Sequence, residues 1–401
     1  MVPGRLWVLG SLSMCLALAC FSGALAQAEP HMSLVAPRVG WAVLNQGTGL
    51  GTGRDDHLFW TTDDGGVWKD ITPPDPASRE IAGVFFLDAS QGWVVLAVRG
   101  EEFIGPSNVS GFDLAATTDG GADWTVRHVT PPSEGHGWSG HSEIFFLDSN
   151  HGWLNLELAL HDWAVGTLLA TTDGGDTWNE VQGFNVHAGY GRIRFTDPQN
   201  GWVTGGPHGQ EHVYATHDDG RNWNEVILPP PSEISSHVSS MSQCASPLFR
   251  DSRHGFLPVT YSGTNASGND FKALALFSTD DTGRTWRLES WVNLGEDRGI
   301  LAFTAVDSQA LAPKLSGHSG LTLMKLRPAG KHTETRATEL PDVPSGTALL
   351  GLSFSDGTHG WASSSDGRLL STADGGLAWK DITPSRENTG MLTPPEECRR
   401  W

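Results

Sequence analysis

Short apolar runs alternate with polar turns along most of this chain. HLFWTTD, DLAATTD, TLLATTD, HVYATHD and RLLSTAD each end in Thr-x-Asp, and segments such as WKDIT and WTVRHVT resume the apolar spacing afterwards. Runs of this length with apolar positions two apart predict strands, and the polar residues between them predict tight turns. The turn is itself a repeat, Thr-x-Asp-x-Gly-x-x-Trp. It occurs at Thr61/Asp63/Gly65/Trp68, Thr117/Asp119/Gly121/Trp124, Thr171/Asp173/Gly175/Trp178, Thr216/Asp218/Gly220/Trp223, Thr279/Asp281/Gly283/Trp286 and Thr372/Asp374/Gly376/Trp379. Gly supplies the backbone angles of a reversal, Thr and Asp oxygens hydrogen-bond within it, and Trp closes the hairpin over apolar surface.

A second repeat fixes the number of units. FLDASQGW starts at Phe86, FLDSNHGW at Phe146, FTDPQNGW at Phe195, FRDSRHGF at Phe249 and FSDGTHGW at Phe354. LVAPRVGW from Leu34 is a divergent first copy. FTAVDSQA from Phe303 is an eroded one, with Ala305 and Ala310 where Asp and Trp stand elsewhere. The starts near 34, 86, 146, 195, 249, 303 and 354 are almost evenly spaced, so a sixth unit exists although it lacks the Thr-Asp turn. Its hairpin is expected at Leu321–Arg327 and Thr333–Leu340. Each unit reads as four strands: A from the Phe-x-Asp start, B from the Gly-Trp, C into the Thr-Asp turn and D from its Trp. The expected fold is all-β, a seven-bladed β-propeller of four-stranded antiparallel blades over 31–383, with a tail at 384–401. The recurring Trp and Phe are assigned to packing between blades. His151, His254 and His359, which precede the Gly of the second repeat, are assigned to turn formation.

The octapeptide resembles the Asp-box, or BNR, repeat of sialidases and other propellers, which gives Asp63, Trp68, Asp119, Trp124, Asp173, Trp178, Asp218, Trp223, Asp281, Trp286, Asp374 and Trp379 structural roles. The paired GW and TDGGxxW motifs over nearly all of 31–383 resemble the photosystem II stability/assembly factor-like propellers. That likeness implies a seven-bladed ring, export and a non-catalytic assembly role. The best-studied members of that family hold a membrane-protein precursor through a basic patch. This chain is acidic, and Arg192 and Arg194 are the only tight arginine pair in its blades.

Composition narrows the partners. The chain has a formal net charge of −20, which argues against nucleic acid or an anionic membrane surface. Residues 1–26 read as a secretory signal, with Arg5, an apolar run from Leu6 to Phe21 and Ala24-Leu25-Ala26 before Gln27. Cleavage there leaves a secreted or periplasmic chain without a membrane span, expected as a monomer with no cofactor or metal. Ala17 weighs against lipidation at Cys20. Cys244 and Cys398 remain, and export permits a disulfide between them.

Strand direction puts the A–B turns and the Thr-Asp turns on one face, and the B–C loops and inter-blade connections on the other. The second set is irregular, and function concentrates in such segments. It carries His136, Trp138 and His141; His161, Asp162 and Trp163; His187, Tyr190 and Arg192; and His208, Glu211 and His212. No segment has a specific metal spacing, so these residues are expected to contact a protein or a glycan. Sialidase chemistry needs an arginine triad and a Tyr nucleophile paired with Glu. The first blade offers only Arg38 and Arg54, and the chain has three tyrosines, Tyr190, Tyr214 and Tyr261. A sialidase-like glycoside hydrolase or a carbohydrate-binding propeller is therefore the alternative to a scaffold that holds a partner.

Overall fold

The structure is a computed structural model that describes residues 32–45, 49–50, 56–74, 79–99, 109–129, 138–160, 163–184, 191–206, 211–295, 304–306, 309–316, 320–328, 332–336, 349–385 and 388–389. Residues 1–26, which the sequence reads as a secretory signal, lie outside the described residues. Seven four-stranded antiparallel blades form a ring. Blade one comprises Met32–Ala36, Val39–Asn45, Asp56–Thr61 and Lys69–Asp70. The inner strands of the others are Arg79–Phe86, Trp138–Phe146, Ile193–Phe195, Val238–Cys244, Thr304–Val306 and Leu349–Phe354. Blades two and three share one extra pairing, Trp138 with Val109. Blade six has the expected hairpin, Gly320–Leu326 with His332–Arg336. Among the described residues no helix is long and apolar enough to cross a membrane.

The core is a set of seams. Each of the seven clusters of buried apolar side chains draws on two adjacent blades, and the seventh joins blade seven to blade one. Strand periodicity explains this, because successive side chains point to opposite faces. In the second strand of blade two, Trp93, Val95 and Ala97 face blade three, whereas Val94 and Leu96 face blade one. No blade can bury both faces alone, so stability resides in neighbour contacts.

The second repeat is the joint of each seam. Trp93 stacks on Phe146 of the next blade, with ring centres 3.7 Å apart and planes at 5°. Trp153 on Phe195 repeats those values, and Trp202 meets Phe249 at 4.6 Å. Within a blade the Phe ring covers the Gly before the Trp. A methyl group at Gly152 would sit 2.5 Å from the Phe146 ring, and Gly92, Gly201, Gly255 and Gly360 are equally crowded by their own Phe. The Asp of the motif shapes the A–B turn: Asp148 accepts from the backbone N–H groups of Asn150 and His151 at 2.8 Å. The imidazoles of His151, His254 and His359 also bond the Asp of their own turn, in keeping with their assignment to turns.

The Thr-Asp turns share one internal network. In the third, the Thr171 hydroxyl donates to Asp173 at 2.7 Å and accepts from Gly175 N–H at 3.0 Å, while Asp173 accepts from Thr177 N–H at 2.9 Å. The Thr177 hydroxyl, donating to Asp173 at 2.6 Å, and then the Thr177 N–H and the Thr171 hydroxyl hold the Asp173 carboxyl down at about 2. Each turn also bonds the A–B turn of its own blade, as Gly120 N–H to Ser90, Gly174 N–H to Asn150 and Gly375 N–H to Thr358. Both turn sets therefore lie on one face, as strand direction requires.

Closure uses side chains, since blade one contains all four of its own strands. Trp361 of blade seven donates its indole N–H to Asp64 at 2.8 Å, and Ser371 donates to the other oxygen at 3.0 Å. In return Trp68 donates to the Ile382 carbonyl at 2.8 Å, and its backbone N–H reaches the Asn388 carbonyl at 2.9 Å. Trp124 makes the same reach back to Ile71, whereas the indoles of Trp223 and Trp379 donate to the Gly carbonyl of their own turn.

Candidate functional site

The face opposite the Thr-Asp turns is partly described. His136, His161, Asp162, His187, Tyr190 and His208 lie outside the described residues. Trp138 and His141 belong to an inner strand and not to a loop, because that strand extends upstream through a bulge between Trp138 and Ser142. Trp163 likewise opens a strand and pairs with Leu160 of the strand before it. The sequence alone placed all three in irregular segments, since Gly and Ser around Trp138 read as loop.

Arg192 and Glu211 come together at the seam of blades four and five. Arg192 is held at both backbone groups by Thr204: its N–H donates to the Thr204 hydroxyl at 3.2 Å, and its carbonyl accepts from Thr204 N–H at 3.0 Å. Glu211 crosses the seam, its backbone N–H donating to the Met241 carbonyl at 3.0 Å. The Glu211 carboxyl accepts from Gly205 N–H, while its Oε2 is buried with no hydrogen-bond partner among the described residues. The residue as a whole is only half-buried; the seclusion belongs to the carboxyl end. Burial pushes this carboxyl up to about 8, against the opposing pull of Arg192 and the Gly205 bond. At neutral pH it is largely an uncharged acid. Cys244, at 1 % exposure and without a disulfide partner among the described residues, lies behind this pair. Burial, with the neighbouring Glu211 charge, raises its pKa further, and its Sγ donates to the Ala245 carbonyl at 3.3 Å. Its candidate partner Cys398 lies outside the described residues.

His212 joins neither of these groups. Its Nδ1 is 2.7 Å from Glu225 on the adjacent strand, and its ring stacks on Tyr214. His57 with Asp70 and His128 with Asp113 make the same cross-strand pair in blades one and two. That recurrence gives His212 a part in strand pairing. Among the described residues, no three His, Cys, Asp or Glu side chains gather as a metal would require.

A cavity of about 590 Å³ occupies the channel between the inner strands of blades one, two, three, four and seven. Its wall includes Val35, Val84, Phe85, Phe145, Glu143 and Arg194. Alternation along the inner strand of blade four turns Ile193 into the seam, at 2 % exposure, and Arg194 into the channel. The Arg194 guanidinium lies 5.0 Å from the centre of the Phe145 ring. Channel water reaches it, but protein surrounds it on most sides, and this desolvation draws its pKa down. Arg194 stood in the sequence as half of an arginine pair, and the two-residue period was the signal that separated it from the seam.

No protein-family model matches the chain, and no curated protein matches it either. Among solved structures it is similar to a polysaccharide lyase described as a PL25 ulvan lyase, with a TM-score of 0.52 and 11 % identity over 92 % of this chain and 96 % of that one. An uncharacterized protein of Listeria monocytogenes EGD-e gives 0.50 and 10 % identity over 92 % and 97 %. YCF48 from Cyanidioschyzon merolae gives 0.47 and 16 % identity over 79 % and 89 %. At these identities the likeness is one of fold, and function must be argued from the residues of this chain.

Proposed function

We propose that this chain is an exported, non-catalytic propeller that holds a protein partner on the face of its B–C loops and inter-blade connections in blades two to five. The observation that carries this reading is the contrast between the two ends of the ring. On the turn face, the same Thr, Asp and Gly groups satisfy one another in all six Thr-Asp turns, so little there is left for a partner. Among the described residues, the opposite face repeats nothing of that pattern. It carries the Arg192–Glu211 pair and an exposed connection with a short 3₁₀ turn at Ser235–His237. Export follows from the apolar segment at the start of the sequence, and a glycan is the second class of partner such a face accommodates.

The test is selective capture from the cell envelope of the source. The double variant Arg192→Ala with Ser235→Arg is expected to lower recovery of the specific partner at least tenfold. Val67→Arg with Leu377→Arg changes two exposed turn-face positions and is expected to leave recovery unchanged. The reverse pattern contradicts the proposal. So does turnover of fluorogenic sialosides or β-glucans by the purified protein.

A further inference from the structure

We infer, resting on the partner face proposed above, that a ridge leaving blade four, Ile227 with Pro229 and Pro230, is what the partner grips, in an aromatic-lined groove with a basic rim. Four blades make the same bond where the outer strand ends. Ile71, Val181, Val226 and Ile382 donate their backbone N–H groups to the carbonyls of Leu58, Leu168, Val213 and Leu369, at 2.8, 2.9, 2.7 and 2.8 Å. The residues that follow them are Thr72, Gln182, Ile227 and Thr383. Thr72 and Thr383 serve the fold, since their hydroxyls accept from the Leu58 and Leu369 N–H groups at 2.9 Å. Ile227 can accept no such bond. It is instead 72 % exposed, the most of any large apolar side chain among the described residues. Blade four thus carries a bare apolar side chain where three other blades carry a polar one.

The prolines that follow define the shape. Proline ends the outer strand elsewhere too, at Pro73-Pro74 and Pro384, so one or two of them mark only a strand end. Blade four has three in a row, Pro229–Pro231, directly after Leu228. Each proline fixes φ near about −65° and holds the residue before it extended, which makes 228–231 a polyproline-type run. The run is fastened down: the buried Tyr261 hydroxyl of blade five donates to the Leu228 carbonyl at 2.7 Å, and Ile234 N–H donates to the Pro231 carbonyl at 3.1 Å. Leu228 and Pro231 are buried, while Ile227 and Pro229 face water and Pro230 is half-buried. A ridge already ordered loses little freedom on binding. Its prolines present no N–H, so a partner cannot add a strand along them and must read side chains. Runs of this kind seat in aromatic-lined grooves. Glu225 and Glu233 flank the ridge, and residues 222–249 contain no Lys or Arg, a charge that a basic groove rim complements.

Two measurements on the full chain test the ridge. Ile227→Thr installs the residue of blades one and seven, so it should keep the unfolding midpoint and lower recovery of the envelope partner about tenfold, the effect of losing one central interface contact. Val67→Thr, at an exposed apolar position on the turn face, should leave recovery unchanged. A benzoyl-phenylalanine placed at Pro229 is then crosslinked in the source cell, and the peptide it captures is sequenced. That peptide is expected to carry Trp, Tyr or Phe with Lys or Arg close by. An adduct from position 235 with none from 229 would overturn the ridge and leave the partner face standing, whereas no adduct from either would remove both. Unchanged recovery with Ile227→Thr, an adduct to lipid or glycan, or a captured peptide without aromatic residues would each overturn the ridge as well.

Discussion

Replacing Trp361 with Ala is expected to lower the unfolding free energy by about 3–5 kcal/mol, the range for truncating a large buried aromatic. Trp361 is fully buried between blades seven and one, with its ring centre 5.6 Å from that of Trp68. Its indole also fixes Asp64, which in turn holds Ser371. The substitution removes apolar burial, opens a cavity and strips Asp64 of one donor. Trp361→Phe keeps much of the ring and loses chiefly that hydrogen bond, so it should cost about 1–2 kcal/mol. Urea titration of both variants measures these differences. Because this seam closes the ring without strand exchange, the Ala variant should also unfold less cooperatively, with a smaller dependence on urea. A change below about 1 kcal/mol for Trp361→Ala, with cooperativity intact, would show that the closure lies elsewhere.

Glu211 gives the second large effect, which appears as a dependence on pH. In the folded chain its carboxyl titrates at about 8, against an ordinary value of 4.5. Its folded pKa is raised, so the fold favours the protonated acid. The unfolded chain releases this proton above about pH 4.5, whereas the folded chain retains it until about pH 8. This group's contribution to stability is therefore complete below pH 4.5, falls as pH rises across that window, and levels off above pH 8. Glu211→Gln keeps the shape without the titration. Relative to wild type, the variant should gain up to roughly 5 kcal/mol between pH 4.5 and pH 8.5, at about 1.4 kcal/mol per pKa unit. Denaturant titrations at the two pH values test this, and parallel behaviour of the two proteins would contradict it. Arg192→Gln removes the charge that opposes the shift, so the loss should extend to higher pH than in wild type, at the same slope.

The difference between these two sites shows what the sequence made legible. Trp361 sits in a motif that recurs with a fixed offset from Phe354, and a spacing repeated around the ring announces a repeated contact. The identity of its acceptor, Asp64, required ring closure, which joins the two ends of the chain and leaves no local trace. Blade six was readable despite its lost Thr-Asp turn because the second repeat kept its period through Phe303 and Ala310. Glu211 was visible only as a carboxylate in an irregular segment. Its burial comes from Gly205 and from the Met241 strand of the next blade, neither of which shares a motif with it. His212 misled for a related reason, since its Glu225 partner lies across a hairpin and the pairing repeats with changing residue types. Arg194 needed only strict alternation from Ile193 to be placed in the channel, but the channel's other walls come from strands far away in sequence.

Site-specific photocrosslinking tests the division of labour between the faces most directly. A benzoyl-phenylalanine placed at Ser235, in the exposed connection between blades four and five, is compared in the source cell with the same group at Val67 in the first Thr-Asp turn. The account predicts a discrete protein adduct from position 235 and none from position 67. An adduct from 67 with none from 235 would place recognition on the repeated turns and contradict it.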